Sequence, residues 1–150
     1  MRTLAIDLGT RRVGLALSDE GGRFATPLEV LTVSSAEAAL VPVAELIRRE
    51  AVRRVVLGLP VNMDESFGPA ARQVVNWGAS LANRARIPVV YVDERLSSFE
   101  AEQQLLARKK GGEKLTRRLK KQRLDALAAA AFLQAFLDGR LAPIDCSNLG

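Results

Sequence analysis

The sequence predicts an α/β domain: a mixed five-stranded sheet, made of an antiparallel three-strand meander plus two parallel strands, flanked by helices. Three observations predict it. Residues 3–6, 13–17 and 23–33 are strand-like segments separated only by short turns. Two unbroken apolar runs follow, RVVLGL at 54–59 and IPVVYV at 87–92, and such runs mark parallel strands buried on both faces. Residues 124–137 (LDALAAAAFLQAFL) are apolar on nearly every side, which predicts a helix buried against that sheet.

Each element has its local reason. The first apolar run ends in Asp7, and Gly9-Thr10 turns it into the second, which ends in Ser18-Asp19. Glu20-Gly21-Gly22 then leads into the third, where Pro27 suits a sheet edge. Ser34 and Glu37 have capping-box spacing, and Leu40, Val43, Ala44, Ile47 and Ala51 recur at helical intervals. Pro60 closes the fourth strand, and the polar loop 61–68 leads to Pro69, which opens a helix with Val74, Trp77, Gly78, Leu81 and Ala85 on one face. The fifth strand runs into Asp93-Glu94-Arg95, and Ser97 with Glu100 forms a second capping box for a helix to about residue 107.

A length of 150 residues with 48% hydrophobic content suits one domain, 1–150, with a mobile basic loop at about 108–122 and a loose tail at about 142–150. No apolar run reaches membrane-spanning length, and the single cysteine, Cys146, fits a reducing compartment, so a cytoplasmic location is expected. With no histidine, Ser-His-Asp and Cys-His catalysis are excluded. The net charge of +5 is unevenly placed. Residues 108–123 carry Arg108, Lys109, Lys110, Lys114, Arg117, Arg118, Lys120, Lys121 and Arg123 against Glu113 alone, so the rest of the chain is mildly acidic.

In open α/β sheets, sites form beyond the C-terminal ends of strands. Asp7, Asp64 and Asp93/Glu94 follow the ends of strands one, four and five, and Asp125 begins the buried helix, so these acids can reach one crevice. Asp7 and Gly9 also have a plain reading as turn residues, and Asp125 as an acid complementing a helix dipole. Clustered carboxylates without histidine or cysteine point to Mg²⁺ or Mn²⁺, and two such ions would clamp an in-line phosphodiester displacement. A basic strip leading into Asp125 would hold a polyanion across the site, so acids and strip together indicate a nuclease.

Four motifs carry a family resemblance: IDLGT with VGLALSD (6–10 and 13–19), GLPVNMD (58–64), DERLSSFEA (93–101) and DALAA (125–129). On these the chain resembles the YqgF, or RuvX-like, family over residues 4–137. The resemblance implies an RNase H-like fold, a nuclease acting on pre-16S ribosomal RNA 5′ ends or on Holliday junctions, and an acidic site of Asp7, Glu94 and Asp125. Asn62, Asp64 and Arg95 match motif positions in the site loop, and Glu65-Ser66 stands where the family commonly has glycine. Alternation along the strand puts Asp93 and Glu94 on opposite faces, leaving Asp93 to pair with Arg95 or a backbone amide. The Asp-x-Gly-Thr stretch also fits a phosphotransferase of the actin and sugar-kinase type, and the basic strip fits a non-catalytic nucleic-acid binder. A monomer or weak homodimer acting on RNA is expected, since no heptad or exposed apolar strip marks a tight interface.

Overall fold

The computed structural model describes residues 1–62, 64, 66–95 and 117–146, with 117–124 described in backbone only. Five strands, β1 (Thr3–Leu8), β2 (Arg12–Ser18), β3 (Ala25–Thr32), β4 (Arg54–Leu59) and β5 (Val89–Asp93), join one sheet in the order β3-β2-β1-β4-β5. β1 pairs antiparallel with β2 and parallel with β4, and β5 extends the sheet parallel to β4. β3 is an edge strand. Its Pro27 lies opposite Ala16, where the register shifts, so the residue without an N–H falls where the ladder is already interrupted.

Strand alternation divides the core into two unlike faces. Leu4, Ile6, Val13, Leu15, Val55, Leu57 and Leu59 turn toward α1 (Leu40–Arg49) and α2 (Pro69–Ala85), forming the larger apolar cluster with Val43, Ile47, Val74, Trp77 and Leu81. The opposite face presents small residues, Ala5 and Ala16, with Val56 and Val92. Against it lies α3 (Arg117–Leu137), whose Ala129 and Ala130 flank the fully buried Phe132 and Leu133. Alanine facing alanine lets the helix approach the sheet closely, and Asp7, Gly14, Gly58 and Glu94 share this face by the same alternation.

Several boundaries differ from the sequence reading. α3 begins at Arg117, seven residues before the predicted start, so the last part of the predicted basic loop has helical backbone. Arg, Lys, Gln and Leu are strong helix formers, and here they continue the apolar helix toward its N-terminus. The predicted mobility of residues 108–116 and the predicted helix from Ser97 lie outside the described residues. Glu37–Ala39 forms a 3-10 turn whose Ala38 N–H is accepted by Ser35 rather than Ser34, and Ala51 (φ 53°) turns the chain out of α1 instead of extending it. The tail is tied down in part. The Ile144 N–H donates to the Tyr91 carbonyl at 2.7 Å, and Ile144 and Cys146 pack on the larger cluster.

Candidate active site

The site is assembled around a carboxylate set between two glycines. Asp7 lies directly opposite Gly14 on β2, and on its other side Ile6 pairs with Leu57, which leaves Gly58 level with Asp7 on β4. Both glycines face α3, and each vacates space that another site residue fills. A Cβ on Gly14 would collide with the backbone carbonyl of Asp125 and come within 3.0 Å of the Ala126 nitrogen. A Cβ on Gly58 would lie 2.8 Å from Glu94 Oε2 and 2.9 Å from the Phe132 ring. The first turn of the described α3 side chains is thus seated on β2 through Gly14, and Glu94 reaches toward Asp7 over Gly58. Glycine inside a strand is a signal of close backbone approach. That signal was present in VGLAL and VVLGL, and the sequence reading did not use it.

The electrostatics follow from this crowding. Glu94 is pushed up to about 8 by burial, by the charge of Asp7, by the hydrogen bond to Asp7 and by Asp93. Asp7 is pushed up to about 6 by burial, opposed by the hydrogen bond from Glu94 and assisted by the charge of Asp125. The two carboxyls hold one proton between them, with Glu94 the donor. Burial also raises Asp125, against the lowering influence of Arg12. Arg12 Nε lies 3.0 Å from Asp125 Oδ2 and pairs with it, and among the described residues no further donor reaches that buried oxygen.

Three oxygen-donor side chains without histidine or thiol suit a hard divalent cation such as Mg²⁺ or Mn²⁺. The raised, hydrogen-bonded pair Asp7 and Glu94 and the cation already paired with Asp125 both agree with a site built to receive positive charge. Among the described residues, however, no three acidic, cysteine or histidine side chains are grouped closely enough to hold an ion. Asp125 is paired with Arg12.

Beside the acids opens a cavity of about 240 Å³ lined by Asp7, Gly9, Thr10, Arg11, Arg12 and Asp125. A larger one, about 670 Å³, lies where α1 and α2 end, lined by Arg48, Arg53 and Arg84 among apolar residues, and none of the three acids reaches it. The smaller cavity is the one that Asp7 and Asp125 line. Of the other predicted site residues, Asp93 turns from Asp7 and is gripped by Arg95, whose Nη2 donates to Oδ2 at 2.7 Å. Against the burial that would raise it, this pairing holds Asp93 below the usual carboxylate range. Arg95 Nη1 also donates to the Asn62 carbonyl at 3.0 Å, tying loop 60–68 to the end of β5. Asp64 is exposed and turned into its own loop, accepting from the Ser66 hydroxyl and N–H, which lower it. The structure does not bring Asp64 to the acids. Of the basic strip, Arg117, Arg118, Lys120, Lys121 and Arg123 lie on the backbone of α3 leading to Asp125, and Arg108, Lys109, Lys110 and Lys114 fall outside the described residues.

A mixed sheet in this order, with acids beyond β1 and β5 and another on a helix packed across them, defines an RNase H-like domain. Thermus thermophilus RuvC shares the fold at a TM-score of 0.59 and 20% identity, over 96% of this chain and all of that one. A second structure, of T. thermophilus RuvC with a Holliday junction substrate, aligns at 0.58 and 22% identity over the same shares. Within the fold, the profile of RuvX, described as Holliday junction resolvase, matches residues 1–139. A provisionally named pre-16S rRNA nuclease of Anaeromyxobacter sp. (strain Fw109-5) is 45% identical over 93% of this chain and 98% of its own length. Another, from Pelotomaculum thermopropionicum, is 38% identical over 95% and 90%. The chain belongs to the RuvX family of nucleases.

Proposed function

We propose that this protein is a divalent-cation-dependent phosphodiester hydrolase that matures the 5′ end of pre-16S ribosomal RNA, with Asp7, Glu94 and Asp125 as its acidic centre. The observation carrying the reading is the setting of Asp7: Glu94 hydrogen-bonds to it, and the Asp125 backbone packs on Gly14, the residue opposite Asp7 on β2. The RNA substrate is supported by the names of the relatives that align over nearly their whole length.

Hydrolysis forms one bond from a water oxygen to phosphorus and breaks one from phosphorus to the leaving oxygen, which takes up a proton. Bound Mg²⁺ or Mn²⁺, as a pair of ions, supplies acidification of that water and neutralisation of the phosphate charge. The chain's residues do the rest. Asp7, Glu94 and Asp125 would hold the cations through carboxylate oxygens, with Asp7 and Glu94 giving up the proton between them. Thr10, Arg11 and Arg12 line the cavity that receives the scissile phosphate. Residues of the basic strip, from Arg108 to Arg123, hold flanking phosphates through backbone charge rather than base readout. The protein acts as a monomer or weak dimer.

The test is cleavage of an end-labelled RNA carrying a 5′ extension on a stem, beside a four-way DNA junction, in Mg²⁺, Mn²⁺ or EDTA. Cation-dependent cutting of the RNA at its 5′ side is the expected result. Cutting of the junction alone would move the substrate to branched DNA, and cutting in EDTA would remove the mechanism.

A further inference from the structure

We infer that Arg12 is a two-position side chain: it pairs with Asp125 while the acids hold no cation, and turns to the scissile phosphate once they do. This rests on the reading of Asp7, Glu94 and Asp125 as a cation-dependent nuclease centre and assigns a working residue within it.

Four observations meet on this residue. Arg12 is the first residue of β2, two before Gly14, so its backbone is held by the same strand that seats α3. Its side chain is 39% exposed and lines the cavity that Asp7 and Asp125 share, so it reaches solvent and substrate as well as the acid. Its Nε pairs with Asp125, 3.0 Å from a buried Oδ2 that no other donor reaches among the described residues. Finally, the described acids do not gather into a group of three that could hold an ion, and Asp125 is the one among them that Arg12 pairs with.

A partly exposed ion pair is worth little and is readily exchanged. A divalent cation competes for Asp125 with two charges against one and takes carboxylate oxygen at short range. The guanidinium then loses its partner. Its planar fork matches a phosphate oxygen pair better than an ammonium would, and the phosphate in the same cavity is the anion within reach.

The account predicts a coupling that a simple phosphate contact lacks. Wild type, Arg12→Ala and Arg12→Lys, each first checked for cooperative thermal unfolding, would be titrated with Mn²⁺ alone by calorimetry. The three would also be titrated with the stem RNA in EDTA and in Ca²⁺. Arg12→Ala should bind Mn²⁺ about five-fold tighter or more. Its RNA affinity should stay within about twofold of wild type in EDTA and fall about ten-fold in Ca²⁺. Arg12→Lys, keeping the charge without the fork, should recover only part of the loss in Ca²⁺. An equal loss of RNA affinity in EDTA and Ca²⁺, no loss in either, or unchanged Mn²⁺ affinity would overturn the assignment. Wild type that neither binds Mn²⁺ nor cuts would refute the nuclease centre itself. Mn²⁺-dependent cutting with Arg12→Ala indifferent would refute the role of Arg12 alone.

Discussion

Replacing Gly14 by alanine tests how the site is held together. The added methyl carbon would point at the Asp125 carbonyl and the Ala126 nitrogen, backbone atoms of α3 that cannot rotate away as a side-chain tip does. Ordinary contact begins at 3.4 Å, so the start of the helix would have to retreat by roughly 1 Å from β2. Overpacking of this kind costs about 1–3 kcal/mol, or roughly 3–10 °C in melting temperature for a chain of this size. The same retreat carries Asp125 away from Asp7, and a displacement near 1 Å at a reacting centre costs about 10²-fold in rate. The assay is thermal unfolding beside single-turnover RNA cleavage at saturating Mn²⁺. A Gly14→Ala protein with melting temperature and rate both close to wild type would refute the claim that Gly14 seats Asp125.

Further outcomes follow from the same geometry. Asp7 and Glu94 bind protons more tightly folded, at about 6 and about 8, than at their ordinary values of 3.8 and 4.5. Their contribution to stability is therefore full below about pH 4 and is lost as pH rises through about 8; in EDTA, urea unfolding should show a decline on the order of 5 kcal/mol attributable to the pair. Glu94→Gln removes that buried charge while keeping the shape, so the variant in EDTA should melt higher than wild type at pH 8, match it near pH 4.5, and cut no RNA. A lower melting temperature at pH 8 would contradict the shared proton. Mn²⁺ binding at pH 7 should release about one proton, read by calorimetry in buffers of different ionisation enthalpy. Arg95→Ala severs the tie between Asp93 and the Asn62 carbonyl, and should speed proteolysis within loop 60–68 while lowering stability by no more than about 1 kcal/mol.

Much of this was legible in the chain because the pattern is written in hydrophobic periodicity. The unbroken run RVVLGL needs burial on both faces, and it lies between β1 and β5 with helices on either side. Alternation likewise separated Glu94, which faces Asp7, from Asp93, which takes Arg95. Asp64 misled because standing after a strand end says nothing about where a loop turns its side chain, and Ser66 holds this one locally. Arg12 and the two glycines were overlooked for a related reason. Gly14 matters through a helix more than a hundred residues further on, and Arg12 through an acid on that helix. The start of α3 was misplaced because charge suggested a loop where helix propensity favoured continuation.

The central claim is that Asp7, which is hydrogen-bonded to Glu94 and lines one cavity with Asp125, is required for cation-dependent cleavage. Asp7→Asn keeps the size of the side chain and removes the charge that would hold the cation. Single-turnover cleavage of the stem RNA at saturating Mn²⁺ should fall by about 10²-fold or more, while binding of that RNA is retained or tightened because a charge repelling phosphate has gone. Cleavage at the wild-type rate in Asp7→Asn would contradict the account.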